Sequence, residues 1–317
     1  MTFSIVARCP RTGELGVAVA SAVPAVGAVC PYVLAQVGAV STQAWVNPYL
    51  ALNTLELLGQ GKGATEALGE ALKSDPAGSI RQLGIVDRLG HAASWTGPDC
   101  TEWAGHHVGP GYAIQGNMLA GAAVIEAMVD AFDASMGNQL CERLLGALEA
   151  GQLAGGDKRG RQSAALKVVR DEAYAFLDLR VDEHDDPVSE LRRVFCVAQV
   201  QVVPFIEGMS TRSEPGRVPS VSVRELLLKP PLLRPGASVG ATVTADAESK
   251  ASQAAILAEW FGVAFAPDRA AQSLNTYRTI LMEIRKLREI DLSDHHPAVI
   301  FSPTLGYPSL MTGSDNE

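Results

Sequence analysis

The chain has 317 residues, of which 47% are hydrophobic and 19% charged, with a formal net charge of −9. That balance supports a buried core and excludes global disorder, and the acidic surplus with no basic stripe excludes a nucleic-acid surface. Five widely spaced cysteines without a CxxC exclude a disulfide framework and a zinc site. No apolar run reaches the roughly 20 residues that span a bilayer.

Residues 3–8 (FSIVAR) and ELGVAVASAV flank the turn PRTG, a pattern that predicts a β-hairpin. The second run is rich in small residues, as in a buried strand packed closely against another layer. VGAVSTQAWV (37–46) predicts a third strand, and the leucine and alanine spacing of 48–60 and 63–74 predicts two helices. Residues 81–97 read as strand–turn–strand and 112–119 as a strand entering a glycine turn. Residues 120–150 read as one or two helices. GGDKRGRQSAALKVVR and AYAFLDLRVD predict a loop and two strands. PVSELRRVFCVAQVQVV (187–203), with proline at its start, predicts a closing helix. Hairpins outnumber strand–helix–strand crossovers, which points to an α+β fold with antiparallel sheets. Beyond residue 210 the chain turns rich in Pro, Ser and Gly. We expect a domain over 1–210, a linker over 211–250 and a helical module over 251–317.

The opening Met-Thr carries the chemistry. The start lacks the basic and apolar regions of a secretory signal, so we expect a cytoplasmic chain whose first methionine is removed. Thr2 then offers a hydroxyl nucleophile beside an α-amine of pKa about 7.7–8.0, which can serve as its general base. A strand that begins at once ties this terminus into a sheet, whereas most chain starts fray.

Other candidates gather in three segments. In GGDKRGRQSAA, paired glycines can converge backbone N–H groups on an anion. Asp157 can orient the amine, Arg159 and Arg161 can hold a carboxylate, and Ser163 can relay a proton. In QGNML, Gln115 is a substrate contact and Asn117 an oxyanion donor, although Gly-Asn is also ordinary turn sequence. Ser21, Gln43 and Asn47 flank the second and third strands, where loop capping is the competing role. Of His106 and His107, we assign His107 as a substrate contact. No metal-ligand spacing is evident, so no metal and no cofactor is expected.

The opening MTFSIVARCPRTGELGVAVASAVPAVGAVCP, with GAVSTQAWVNP, RQLGIVD, WAGH, QGNML, GGDKRGRQSAAL and LDLRVDEHDDPVSELRRVF, resembles the bacterial domain-of-unknown-function family 1028 over about residues 1–205. The resemblance implies a four-layer αββα sandwich like that of N-terminal-nucleophile (Ntn) hydrolases. The chain departs from many relatives at ASAVPAVG, where Ala22 stands in place of a basic or bulky residue. QAAILAEWFGVAFAPDRAAQSLNTYRTILMEIRKLREIDLSDHHPAVIFSP (253–303) is similar to the small accessory subunit of carboxybiuret-type amidases, itself similar to the C subunit of glutamyl-tRNA amidotransferase. That similarity implies docking on an amidase-signature partner through residues 251–303. Together these readings lead us to expect an amidohydrolase acting on a small amide, imide or ureide. The competing expectations are a cyclic-amide hydrolase without a terminal nucleophile and a non-catalytic scaffold. Homo-oligomer formation is compatible with either.

Overall fold

The computed structural model describes residues 2–228. Part of the expected linker and all of the expected C-terminal module lie outside these residues. Ten strands and eight helices follow in chain order: β1 (Thr2–Arg8), β2 (Leu15–Ser21), α1 (Val26–Val29), β3 (Pro31–Leu34), β4 (Gly38–Ala44), α2 (Pro48–Gly59), α3 (Ala64–Lys73), β5 (Arg81–Asp87), β6 (Ala92–Thr96), β7 (Gly105–Gly109), β8 (Tyr112–Gly116), α4 (Ala123–Ala134), α5 (Leu140–Leu153), β9 (Ser163–Val169), β10 (Ala175–Val181), α6 (Pro187–Gln201), α7 (Val203–Glu207) and α8 (Val221–Leu227). Strands β3 and β7 were not expected from the sequence. Each is short and lies at a sheet edge, and β7 (GHHVG) carries no apolar run to mark it.

The strands form two antiparallel sheets, a larger one in the order β10-β9-β2-β1-β8-β7 and a smaller one in the order β3-β4-β5-β6. Strand alternation sorts the side chains of β1 between two layers. Phe3, Ile5 and Ala7 pack outward with Met128 and Phe132 of α4, Leu144 and Leu148 of α5, and Leu191 of α6. Val6 faces the other way and joins Val17, Ala39, Val86 and Ala113 between the sheets. On the far side, Val40, Leu83 and Ile85 pack on Leu50 and Leu58 of α2 and Ala67 of α3. The order is therefore helices, sheet, sheet, helices. Central strands buried on both faces have no solvent-facing register. This is why β2 reads LGVAVAS rather than alternating polar and apolar. Each large side chain so buried contributes about 1.5–3 kcal/mol of transfer free energy.

Helix starts follow local chemistry. Asn47 caps α2, its side chain accepting from the Tyr49 N–H at 3.1 Å, with Pro48 at the first helical position. Pro187 opens α6 in the same way. Residues 210 and 212 are tied back to the β9–β10 connection: the Tyr174 hydroxyl donates to the Ser210 carbonyl (3.0 Å) and the Arg212 N–H to Glu172 (3.2 Å).

Candidate functional site

Thr2 sits at the head of β1 in register with Ser21 on β2, and Ser21 is in register with Ser163 on β9. Three hydroxyl residues thus line up across the end of the large sheet. Thr2 is 2% exposed, and its Oγ1 donates to Ser21 Oγ at 3.1 Å. Its carbonyl is clamped from two sides, by the Asn117 backbone N–H (3.1 Å) and by Gln43 Nε2 (3.2 Å). Ser163 Oγ donates to the Val23 carbonyl and accepts from the Val26 N–H, so it fastens the segment leaving β2.

The 155–162 loop reaches this end through Asp157. Gly155 and Gly156 have φ of 116° and 53°, and a Cβ on Gly156 would press on the Gln152 side chain. Their N–H groups donate to the Gln152 and Gly151 carbonyls and close the last turn of α5. The anion nest expected there is therefore not formed, because those donors are spent on the helix end. Asp157, 4% exposed, accepts from the Ala22 N–H (3.2 Å) and from Arg159 through Nε (3.2 Å) and Nη2 (2.8 Å). Arg161 lies 3.3 Å from Asp186. Both arginines proposed for a substrate carboxylate thus face carboxylates of the chain itself.

Behind Thr2 the space between the sheets turns polar. Ser4, Ser41, Gln43, Gln82, Gln115 and Asn117 form one buried network. Ser4 Oγ donates to Gln43 Oε1 (2.7 Å) and accepts from Gln115 Nε2 (2.6 Å). Gln82 is its hub. Its Nε2 donates to the Gly116 and Gly105 carbonyls and to Thr96 Oγ1, and its Oε1 accepts from Gln43 (2.7 Å) and Asn117 Nδ2 (2.8 Å). The network ends at His106, whose Nδ1 lies 2.8 Å from Thr96 Oγ1. Partial shelter of the ring and the neighbouring His107 hold this imidazole below its usual pKa. Gly84 is required here, since a Cβ would overlap the Gln115 amide.

A cleft of about 320 Å³ is walled by Val23, Ala44, Trp45, Cys100 and Met118, with Thr101 and Asn117 as its polar members, and Asn117 is the residue whose N–H holds the Thr2 carbonyl. Ala44 and Met118 have positive φ (65° and 49°), a backbone state that costs non-glycine residues energy and gathers at ligand sites. Burial pushes the Cys100 thiol up, so it is a neutral wall group. The sequence-derived candidates Thr2, Ser21, Gln43, Gln115, Asn117, Asp157 and Ser163 converge on this end of the sheets. Asn47 stands apart as the α2 cap, bonded to Asp75 (2.9 Å). His107 is exposed and stacks on Tyr112 at the opposite face of the large sheet. Sequence reasoning missed Gln82, Ser4, Ser41, Thr96 and Trp45. The legible signal for Ser4, Ser41 and Thr96 was a second polar residue two positions away on an otherwise apolar strand, whereas Gln82 and Trp45 carried none. Among the described residues, no three His, Cys, Asp or Glu side chains group as a metal site, and no helix is long and apolar enough to cross a membrane.

The model of the family of unknown function DUF1028 matches residues 2–191. The chain belongs to the DUF1028 family. A crystal structure of a DUF1028 protein, SPO2555 from Silicibacter pomeroyi, is 30% identical, covers 69% of this chain and 96% of its own, and superposes with a TM-score of 0.64. Two Anbu (ancestral β-subunit) structures also align. The one from Yersinia bercovieri is 13% identical over 63% of this chain and 96% of its own, at TM-score 0.31. The other, from Hyphomicrobium sp. strain MC1, is 13% identical over 65% of this chain and 100% of its own, at 0.32. Likeness at that level carries no argument about this DUF1028 chain. No curated protein matches it.

Proposed function

We propose that this chain is an amidohydrolase of the Ntn type, in which Thr2, exposed by removal of Met1, cleaves a C–N bond of a small amide, imide or ureide. The observation that carries this reading is a buried threonine hydroxyl at the first position of a central strand, clamped at its own carbonyl by Gln43 and by Asn117, a residue that lines a cleft. A side chain so held loses little entropy on reaching the reactive geometry. The layer order helices–sheet–sheet–helices is what an Ntn-type sandwich requires.

The chemistry balances without a cofactor. Thr2 Oγ1 attacks the amide carbon, and its proton passes to the α-amine and then to the leaving nitrogen. The C–N bond breaks and an ester to Thr2 forms. Water then adds to the ester, releasing a carboxylic acid and restoring the threonine. Ser21 Oγ, which accepts from Thr2 Oγ1, orients the hydroxyl. Asp157 acts through the Ala22 N–H to fix the segment that walls the cleft. We further propose that residues 251–303 dock an amidase-signature subunit, tested by co-purification of such a subunit with the full chain and its absence with a chain ending at 250.

Intact-mass measurement is expected to show loss of Met1. A β-lactone electrophile is expected to label Thr2, and Thr2→Ala is expected to abolish both labelling and amide turnover, with Thr2→Ser retaining part. Retained Met1 in active protein, or undiminished turnover by Thr2→Ala, sinks the reading. In the latter case, loss of activity in Asp157→Asn would favour a hydrolase without a terminal nucleophile.

A further inference from the structure

The polarity of the cleft follows from two backbone carbonyls. Gly105 and Gly116 carbonyls can only accept, so the Gln82 side chain must turn Nε2 toward them. Its Oε1 then faces Asn117, which must answer with Nδ2. The Oδ1 of Asn117 is left as the other branch of the amide. It is buried, the residue being 1% exposed, and it has no hydrogen-bond partner among the described residues. Asn117 is one of the residues lining the cleft, and this unpaired acceptor is the branch of its amide that is not bonded to Gln82. A stranded buried acceptor is unfavourable, and a ligand N–H would recover that loss.

The remaining walls set the rest of the ligand. No charged side chain lines the cleft, and Arg159 and Arg161 face Asp157 and Asp186. A carboxylate here would lose its water, meet no cationic side chain of the cleft wall and face the Asn117 amide. Trp45, 69% exposed, lines the cleft with its backbone N–H bonded to the Ile80 carbonyl (3.3 Å), and its indole offers a flat apolar face. A volume of about 320 Å³ suits a compact molecule.

We infer that the cleft selects an uncharged amide, with an apolar or aromatic acyl group against Trp45 and an N–H donated to Asn117 Oδ1, and that it rejects carboxylates. This rests on the amidohydrolase reading for its meaning as substrate selection, but the binding preference is measured without turnover. Three probes of one shape separate the contributions: benzamide, N,N-dimethylbenzamide and benzoate. Binding is followed by tryptophan fluorescence on full-length Thr2→Ala protein, with Trp45→Phe as the control that identifies the responding indole.

Benzamide is expected to bind on the order of tenfold or more tighter than either analogue, the equivalent of one hydrogen bond to a buried acceptor. Asn117→Leu is expected to erase the preference for benzamide over its dimethyl analogue. Trp45→Ala, at an exposed position, is expected to weaken benzamide binding as read by titration calorimetry, which does not depend on the indole signal. Benzoate binding as tightly as benzamide, equal affinity for the dimethyl analogue, or no binding by any probe overturns the inference. If the benzamide preference holds while native protein neither labels at Thr2 nor turns over amides, the hydrolase reading fails and the cleft's selectivity stands.

Discussion

Replacing Gln82 with methionine tests whether the polar layer between the sheets is held by its hydrogen bonds or only by its packing. Methionine keeps the length and nearly the volume of glutamine but removes one donor group and one acceptor. Gln43 Nε2 keeps two carbonyl partners, those of Thr2 and Gln115, and Thr96 keeps His106. Asn117 Nδ2, however, loses its one side-chain acceptor, and the Gly116 and Gly105 carbonyls lose the side-chain donor they share. One lost acceptor and one lost shared donor at about 1–3 kcal/mol each give roughly 2–6 kcal/mol of destabilisation, reduced somewhat by the greater apolarity of methionine. For a domain of this size each kcal/mol shifts the melting temperature by roughly 2–4 °C. The assay is urea unfolding followed by tryptophan fluorescence, with hydrogen exchange on β5 and β8 to localise the loss. The exposed Gln60→Met serves as control and should change stability by less than about 0.5 kcal/mol. If Gln82→Met behaves like the control, the network contributes nothing net, and the orientation assigned to Asn117 loses its basis.

Other perturbations probe separate parts of the same frame. Gly84→Ala drives a methyl into the Gln115 amide and should cost about 1–3 kcal/mol by overpacking, with much of that recovered when Gln115→Ala is added; simple additivity in the double variant would contradict the close approach. Burial alone would raise the Asp75 carboxyl, but bonds from Asn47, Arg81 and the Ala77 N–H outweigh it and hold it below 3.8. A carboxyl lowered on folding stabilises above its unfolded value and loses that contribution as pH falls through the lower folded one. Melting temperature should therefore drop on the acid side of pH 4, more in native protein than in Asp75→Asn. His106 is held below 6.5, so its neutral form is favoured on folding; stability should fall as pH drops below about 6.5, and His106→Gln should flatten that limb. An unchanged limb in that variant would show that His106 is not the group whose protonation destabilises the fold.

The sequence by itself determined the kinds and order of the main elements, while the short edge strands β3 and β7 carried no local signal. Apolar runs of six or seven residues, turn residues between them and leucine spacing at helical period survive any tertiary arrangement, because each follows from local sterics and from the need to bury one face. The convergence of Thr2, Ser21 and Ser163 was half visible in the same way, since each stands at the end of an apolar strand. What only the tertiary structure decided was partnership. Asn47, Arg159, Arg161 and the two glycines of the 155–162 loop are residue types equally suited to a site or to local duty, and their neighbours in space assign them to a cap, two ion pairs and a helix end. The reverse holds for Gln82. On its own strand it reads as a lone polar residue near a turn. Only the meeting of the two sheets, with two carbonyls that can accept and never donate, makes it the residue that sets how the Asn117 amide is turned.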